Sequence, residues 1–337
     1  MAACQMTIEF DRSDKTYCSG ETVRGQVHVQ ALQDLNSGGV TLTQFWKTHG
    51  AGSPDTGPET GQTLGQPGAM AAGETRSYEF DFVPEPVPLT YEGQLIFIDH
   101  FVRVEVDIAW GSDAKLEQLF NLEPGRLSGQ EPDEQRALDI KPETSPVLAG
   151  LILFLMTGCL LIALYDTWQF LIPAVLFVCA GLLVQKTMLF YRLGEVQLKT
   201  PGLTVHSGER WPVRLRFKPP KDLRINGLQV TVRCVETARS GGGEHRTTKK
   251  HTVYEKEYVI QRAGRLPGGR AFRKTLKLPF PDSKAFSFEG RNNTVAWTVE
   301  FHLDLPGFPD WKQTKNVQFL PAREQPVPKK SRTRSSP

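Results

Sequence analysis

The sequence predicts an all-β protein of two β-sandwiches, with a two-helix transmembrane hairpin between them. Three observations carry this expectation. Segments of alternating apolar and polar residues, bounded by Gly- and Pro-containing turns, fill both halves of the 337-residue chain. The two halves repeat one another in register. Between them stand two apolar runs, residues 147–165 and 168–186.

In chain order, residues 7–30 alternate as a strand would. Val23, Val27 and Val29 share one face, and Arg24, Gln26, His28 and Gln30 share the other. The turn before them is Ser19-Gly20-Glu21. Residues 40–46 predict another strand. Residues 50–73, rich in Gly, Pro, Ser and Thr, predict a loop. Residues 77–83 are strand-like, and Tyr91-Glu92-Gly93 precedes the clearest strand of this half. In that strand Ile98, Val102, Val104, Val106 and Ile108 oppose Asp99, Arg103, Glu105 and Asp107, while His100 interrupts the apolar face.

The second half repeats the plan. Ser207-Gly208-Glu209 matches Ser19-Gly20-Glu21, and without a gap Val27 falls on Leu215, Val29 on Phe217 and Leu42 on Val230. Phe288-Glu289-Gly290 matches Tyr91-Glu92-Gly93, and Val102, Val104 and Val106 then fall on Val299, Phe301 and Leu303. A slip of one residue would exchange the faces, so shared sidedness over a long stretch argues for two copies of one module. The expected boundaries are an acidic sandwich at 1–124, a linker at 125–145, the hairpin at 146–191, a basic sandwich at 192–321 and a disordered basic tail at 322–337.

The first apolar run is free of charge over 19 residues. At 1.5 Å per residue that is about 28 Å of helix, close to the roughly 30 Å hydrocarbon core of a bilayer. Asp166 and Thr167 separate the runs. A carboxylate inside one long helix costs about 2.5–3.5 kcal/mol, so these two residues are expected to form a membrane turn. A buried hairpin in a large core is the alternative, but core helices keep a polar stripe and neither run has one. The turn lacks Lys and Arg, whereas Lys141 precedes the first run and Lys186, Arg192 and Lys199 follow the second. The positive-inside rule then places both sandwiches and both termini in the cytoplasm of a two-helix integral membrane protein.

Charge divides along the chain. Residues 1–145 carry 10 Lys/Arg against 23 Asp/Glu, and residues 192–337 carry 29 against 13. Opposite signs would let the halves face each other. Of five cysteines, Cys159 and Cys179 fall in the apolar runs. Cys4, Cys18 and Cys234 form no disulfide framework, which points to a reducing compartment.

Tyr17-x-Ser-Gly-Glu21-x-Val-x-Gly25-x-Val27, then Pro88-x-x-Tyr91-x-Gly93 and Val102-Arg103-Val104-Glu105-Val106-Asp107, resemble the N-terminal module of the arrestin superfamily. The resemblance covers about 110 residues of the first half. The second half joins through the repeat. It implies arrestin-like or immunoglobulin-like sandwiches and a scaffold or adaptor role, by analogy of fold. A hairpin between modules departs from that family, and no counterpart of its polar core or of a clathrin-binding motif is present.

Catalytic constellations are weak. Alternation sends His100 to the face opposite Asp99, Glu105 and Asp107, so these read as a solvated strand face rather than an acid–base or metal set. His206, His245, His251 and His302 lack ligand spacing. G-x-S-x-G, P-loop and G-x-G-x-x-G motifs are absent, and Gly241-Gly242-Gly243 reads as a loop tip. No catalytic residue, cofactor or metal is assigned. The basic stretches have few interleaved aromatics, which argues against nucleic acid. Beside a bilayer, Lys186, Arg192, Lys249, Lys250, Arg273, Lys274 and Lys277 are candidates for anionic lipid-headgroup contacts. The expected function is a membrane-tethered, non-enzymatic scaffold or adaptor that binds a protein partner; the alternative is an accessory or regulatory subunit of a transporter or membrane enzyme.

Overall fold

An alternating strand can bury one face only by lying on a second sheet, and the chain meets that demand twice. The computed structural model describes residues 3–109, 111–125 and 191–322. The first half runs β1 (Cys4–Phe10), β2 (Thr16–Cys18), β3 (Val23–Ala31), β4 (Leu35–Gly50), β5 (Thr60–Gly65), β6 (Gly68–Met70), β7 (Thr75–Phe82), β8 (Tyr91–Glu92), β9 (Ile96–Ile108) and β10 (Ala114–Glu123). The second runs β11 (Gln197–Lys199), β12 (Thr204–His206), β13 (Arg210–Phe217), β14 (Leu223–Ser240), β15 (Thr247–Leu266), β16 (Phe272–Pro279), β17 (Phe288–Glu289), β18 (Asn293–Asp304) and β19 (Trp311–Leu320).

Each half forms a small sheet on a large one. In the first, β1-β3-β7 covers β2-β10-β9-β4-β5, with β6 on β4 and β8 on β9. In the second, β11-β13-β16 covers β12-β19-β18-β14-β15, with β17 on β18. The first core gathers Ile8, Val27, Val29 and Phe80 against Leu42, Val102, Val104 and Phe120. The second sets Trp211, Val213 and Leu278 against Val230, Val232, Trp297, Phe301 and Phe319.

The repeat is reproduced bond for bond. Leu42 pairs with Val104, and their counterparts Val230 and Phe301 pair likewise. Val106 faces Ala114 as Leu303 faces Trp311. Tyr17 lies parallel to Leu122 as Val205 lies parallel to Phe319. Val104 and Phe301 are both fully buried. The Ser-Gly-Glu turns explain themselves: Gly20 and Gly208 take φ of 87° and 72°. The following glutamates fold back, so that Glu21 Oε2 accepts from Cys18 N and Glu209 Oε2 from His206 N, both at 2.9 Å.

One loop expectation needs correction. The Gly/Pro-rich stretch at 50–73 contains β5 and β6, both paired with β4, and a buried Asp55. Composition misleads here because its backbone is held by long-range partners. The segment at 239–269 is mostly β15, whose Thr, Val, Tyr and Ile residues favour an extended chain; only the short connection around Gly243–His245 is loop-like.

The fold class and localisation are corrected as well. The described residues are all-β, and no helix among them is long and apolar enough to cross a membrane. Residues 147–165 and 168–186, with the expected turn at Asp166 and Thr167, lie outside the described residues. Length and lack of charge mark an apolar run but do not decide what it packs against. The two-helix hairpin and the integral-membrane placement with cytoplasmic sandwiches therefore drop out of the description of this fold.

The turn glycines make a direct test. A Cβ at Gly20 or Gly208 meets nothing within 4 Å, so only the left-handed backbone resists it. Gly20→Ala and Gly208→Ala should each lower stability by about 1 kcal/mol in urea titrations. Gly202→Ala, also in open space but without a positive φ, should change it by less than about 0.5 kcal/mol.

Candidate functional site

The site with the densest polar geometry is the junction of the two sandwiches. The turn between β8 and β9 enters the second half, where Tyr91, Ile96 and Ile98 join the apolar cluster around Trp297 and Val295. Burying a turn strands its N–H groups, and each needs an acceptor. Glu236 on β14, itself fully buried, supplies one. Its carboxylate accepts from Tyr91 Oη at 2.6 Å, Leu95 N at 2.7 Å and Gln94 N at 3.2 Å. Burial first, then the bond to Glu236, raises the Tyr91 phenol above its ordinary pKa.

A reciprocal carboxylate works from the other side. Asp55 of the first half accepts from Asn292 N at 3.0 Å and Asn293 N at 2.9 Å, in the turn between β17 and β18. Asn293 Nδ2 donates to Asp55 Oδ2, Thr48 Oγ1 and Ser53 O. These turns are the repeat's equivalents, so each module presents the same turn to a carboxylate of the other. The glycines of Tyr91-Glu92-Gly93 and Phe288-Glu289-Gly290 now have a reason. A Cβ on Gly93 would lie 1.9 Å from Glu236 Oε1, and one on Gly290 would lie 2.4 Å from Asp55 Oδ2. Sequence reading sees only turn glycines there; no local signal names Glu236 or Asp55.

The expected meeting of opposite charges is slight. Among the described residues one ion pair, Lys284 Nζ to Glu123 Oε1 at 3.2 Å, bridges the halves, and both side chains are exposed. Exposed pairs contribute about 0–1 kcal/mol. The junction rests on apolar burial and backbone-to-carboxylate bonds.

His100 lies inside the first sandwich and packs 5.4 Å from the Phe120 ring. Its Nε2 lies 3.0 Å from Pro88 O. Trp297, its counterpart, donates Nε1–H to Ala285 O at 2.6 Å, and Ala285 is the counterpart of Pro88. A carbonyl only accepts, so Nε2 carries the proton. Burial pushes the imidazole pKa down to about 4. His100 is thus a core donor, and its acidic neighbours along β9 turn outward to other partners. Asp99 pairs with His49 at 3.0 Å, and Glu105 with Lys115 at 2.9 Å.

The remaining histidines stay apart. His206 Nδ1 bonds Pro321 O at 2.7 Å, His302 pairs with Asp310 at 2.8 Å, and His245 and His251 are exposed. Among the described residues no group of three or more His, Cys, Asp or Glu side chains could hold a metal. Cys4, Cys18 and Cys234 are free thiols; burial, reinforced by Glu236, pushes Cys234 up to about 12. A cleft of about 960 Å³ has Asp34, Glu74 and Asp113 in its lining. Each of these acids accepts from a nearby backbone N–H, of Ala72, Ala71 and Ile108 respectively.

Of the basic candidates, Lys186 lies outside the described residues with Asp166 and Thr167. Arg192 stacks its guanidinium 4.2 Å from the Phe308 ring centroid. Lys249 and Lys250 are exposed near the tip of β15. Arg273 and Lys277 lie on the outer face of β16, while Lys274 sits on its other side, opposite Leu215. On that outer face they join Lys199, Arg210, Arg214 and Arg216, which contiguous-run reading overlooks as partners.

No family model and no curated protein matches the chain. Among solved structures, that of Spo0M, a sporulation control protein from Bacillus subtilis, is similar at 11% identity. The likeness covers 94% of this chain and 91% of that one, with a TM-score of 0.32. It is too slight to carry an argument. What the described residues show is an all-β architecture of two sandwiches.

Two measurements test this geometry. Glu236→Gln and Asp55→Asn each put an amide donor against backbone donors, and each should lower unfolding stability by about 1–3 kcal/mol in urea; a change below about 0.5 kcal/mol would show that the junction does not depend on them. His100 has its folded pKa below the usual 6.5, so its contribution is complete above pH 6.5 and is lost as pH falls toward 4. The loss should be on the order of 3 kcal/mol. His100→Gln should show a smaller decline over that interval than the wild type.

Proposed function

We propose that this chain is a non-enzymatic scaffold or adaptor on the arrestin plan, holding a protein partner along the edge of β15. Among the described residues one edge of that strand has no partner strand, and this edge carries the reading. β15 is 20 residues long and ends the order of its sheet, and most of its side chains are exposed. Its counterpart β5 spans 6 residues. A long unpaired edge is a template for an added strand, which main-chain bonds hold and side-chain pockets select.

Details of β15 favour controlled pairing over indiscriminate aggregation. Register shifts between Leu228/Gln229 and Cys234/Val235 interrupt its pairing with β14 and twist the edge. Lys249, Lys250, Lys256 and Arg262 add charge along it. Val253 and Val259 remain exposed, Val259 by 59%. The junction supports the same reading, because it offers a fixed platform to whatever adds to the edge.

Photo-crosslinking residues at Val253 and Val259 test the proposal in the full-length protein, with Val87, exposed by 56% on the other half, as control. One recurrent protein adduct from both β15 positions and none from Val87 is expected. No adduct, or equal capture from Val87, would overturn it.

A further inference from the structure

We infer that the outer face of the β11-β13-β16 sheet is a second docking surface, and that it takes an acidic protein segment in extended conformation. It lies on a different sheet from β15 and does not rest on the edge proposed above.

Alternation builds the face. Along β13, Trp211, Val213, Leu215 and Phe217 enter the core while Arg210, Arg214 and Arg216 point out. Lys199 lies directly opposite Arg214 on one side, and Arg273 directly opposite Arg216 on the other. Lys277 extends the row beside Pro212. The three strands contain no Asp or Glu. Among the described residues none of these six cations forms an ion pair.

Like charges directly opposite each other destabilise a sheet, so the fold itself does not call for them. The first module shows that it does not. By the pairing registers, Glu9 stands where Lys199 does, and Asp81 where Lys277 does. Gln26, His28 and Ser77 stand in place of Arg214, Arg216 and Arg273. Along the central strand Trp211, Leu215 and Phe217 keep the apolar character of Val23, Val27 and Val29, whereas the outward positions have become cationic in one copy. That contrast points to a ligand carrying negative charge.

Shape and residue type choose among polyanions. Three strands make a stripe roughly 10 Å wide and, along β13, roughly 26 Å long, the footprint of one extended chain. Same-side residues of an extended peptide recur at roughly 6.6 Å, as do Arg214 and Arg216. None of these three strands turns an aromatic side chain outward to stack a nucleobase. Four of the six cations are Arg, which pairs with carboxylates through two parallel bonds and is favoured in protein interfaces over Lys.

The test uses the full-length chain and a fluorescein-labelled peptide of alternating Glu and Ser, read by anisotropy at low and physiological salt. Binding should weaken with salt. It should fall roughly tenfold or more in the triple variant Arg214→Gln, Arg216→Gln, Arg273→Gln. The pair Lys47→Gln, Lys312→Gln, exposed on other sheets, controls for net charge and should change it by less than about twofold. Thermal melting of the triple variant should be no lower than wild type, since repulsion is relieved; a lower midpoint would make the cations structural and overturn the inference. So would peptide binding that is absent, or equally weakened in the control. Phosphatidylserine vesicles and a short DNA duplex are run in parallel: face-dependent binding of either, without peptide binding, would overturn the acidic segment as occupant.

Discussion

Two turns are buried where the sandwiches meet, and their backbone N–H groups have no water to turn to. The carboxylates of Glu236 and Asp55 answer that constraint from opposite sides. Much else at the junction follows from it. Gly93 and Gly290 must lack a Cβ so that the oxygens can approach. Tyr91 must direct its hydroxyl toward Glu236, and the stretch after β4 must curl so that Asp55 reaches Asn292 and Asn293. An uncompensated N–H in such a place costs about 1–3 kcal/mol, more than an exposed ion pair supplies.

The arrangement is symmetric in origin and unequal in detail. Leu95 and Asn292 occupy equivalent places, yet one bonds a glutamate from a strand and the other an aspartate from a loop. The same holds within each sandwich. His100 and Trp297 donate a ring N–H to equivalent carbonyls, and Thr90 and Ser287 accept from the equivalent N–H groups of Leu122 and Phe319. A duplicated backbone thus keeps its bonding requirement and lets different side chains satisfy it.

Much of the fold is legible in the sequence because strand alternation is local. Val23, Val27 and Val29 announce their face within seven residues, and the pairing of Val104 and Phe301 with equivalent partners follows from the repeat. The Ser-Gly-Glu turns are legible for the same reason. The junction is not, since Glu236 and Leu95 are distant in the chain and neither carries a signature. Outward arginines on β13 are visible as alternation, but their neighbours Lys199 and Arg273 come from other strands and emerge only with the pairing. Residues 50–73 look like a loop by composition, although β4 and Asn293 organise them. The apolar runs at 147–165 and 168–186 show how length and charge alone can outrun what a fold establishes.

The parallel pairing of a short early strand with the last strand of each module sets a timetable. Tyr17 meets Leu122, and Val205 meets Phe319, so each sandwich is sealed by a segment roughly a hundred residues downstream. Such distant closures slow folding, because loop entropy is lost before the contact forms. On a ribosome the first module could be sealed while the second is still being made. Asp55 would then wait, already shaped, for Asn292 and Asn293. The nascent first half would therefore expose its unpartnered junction until β18 emerges, and that interval is when a chaperone would find it.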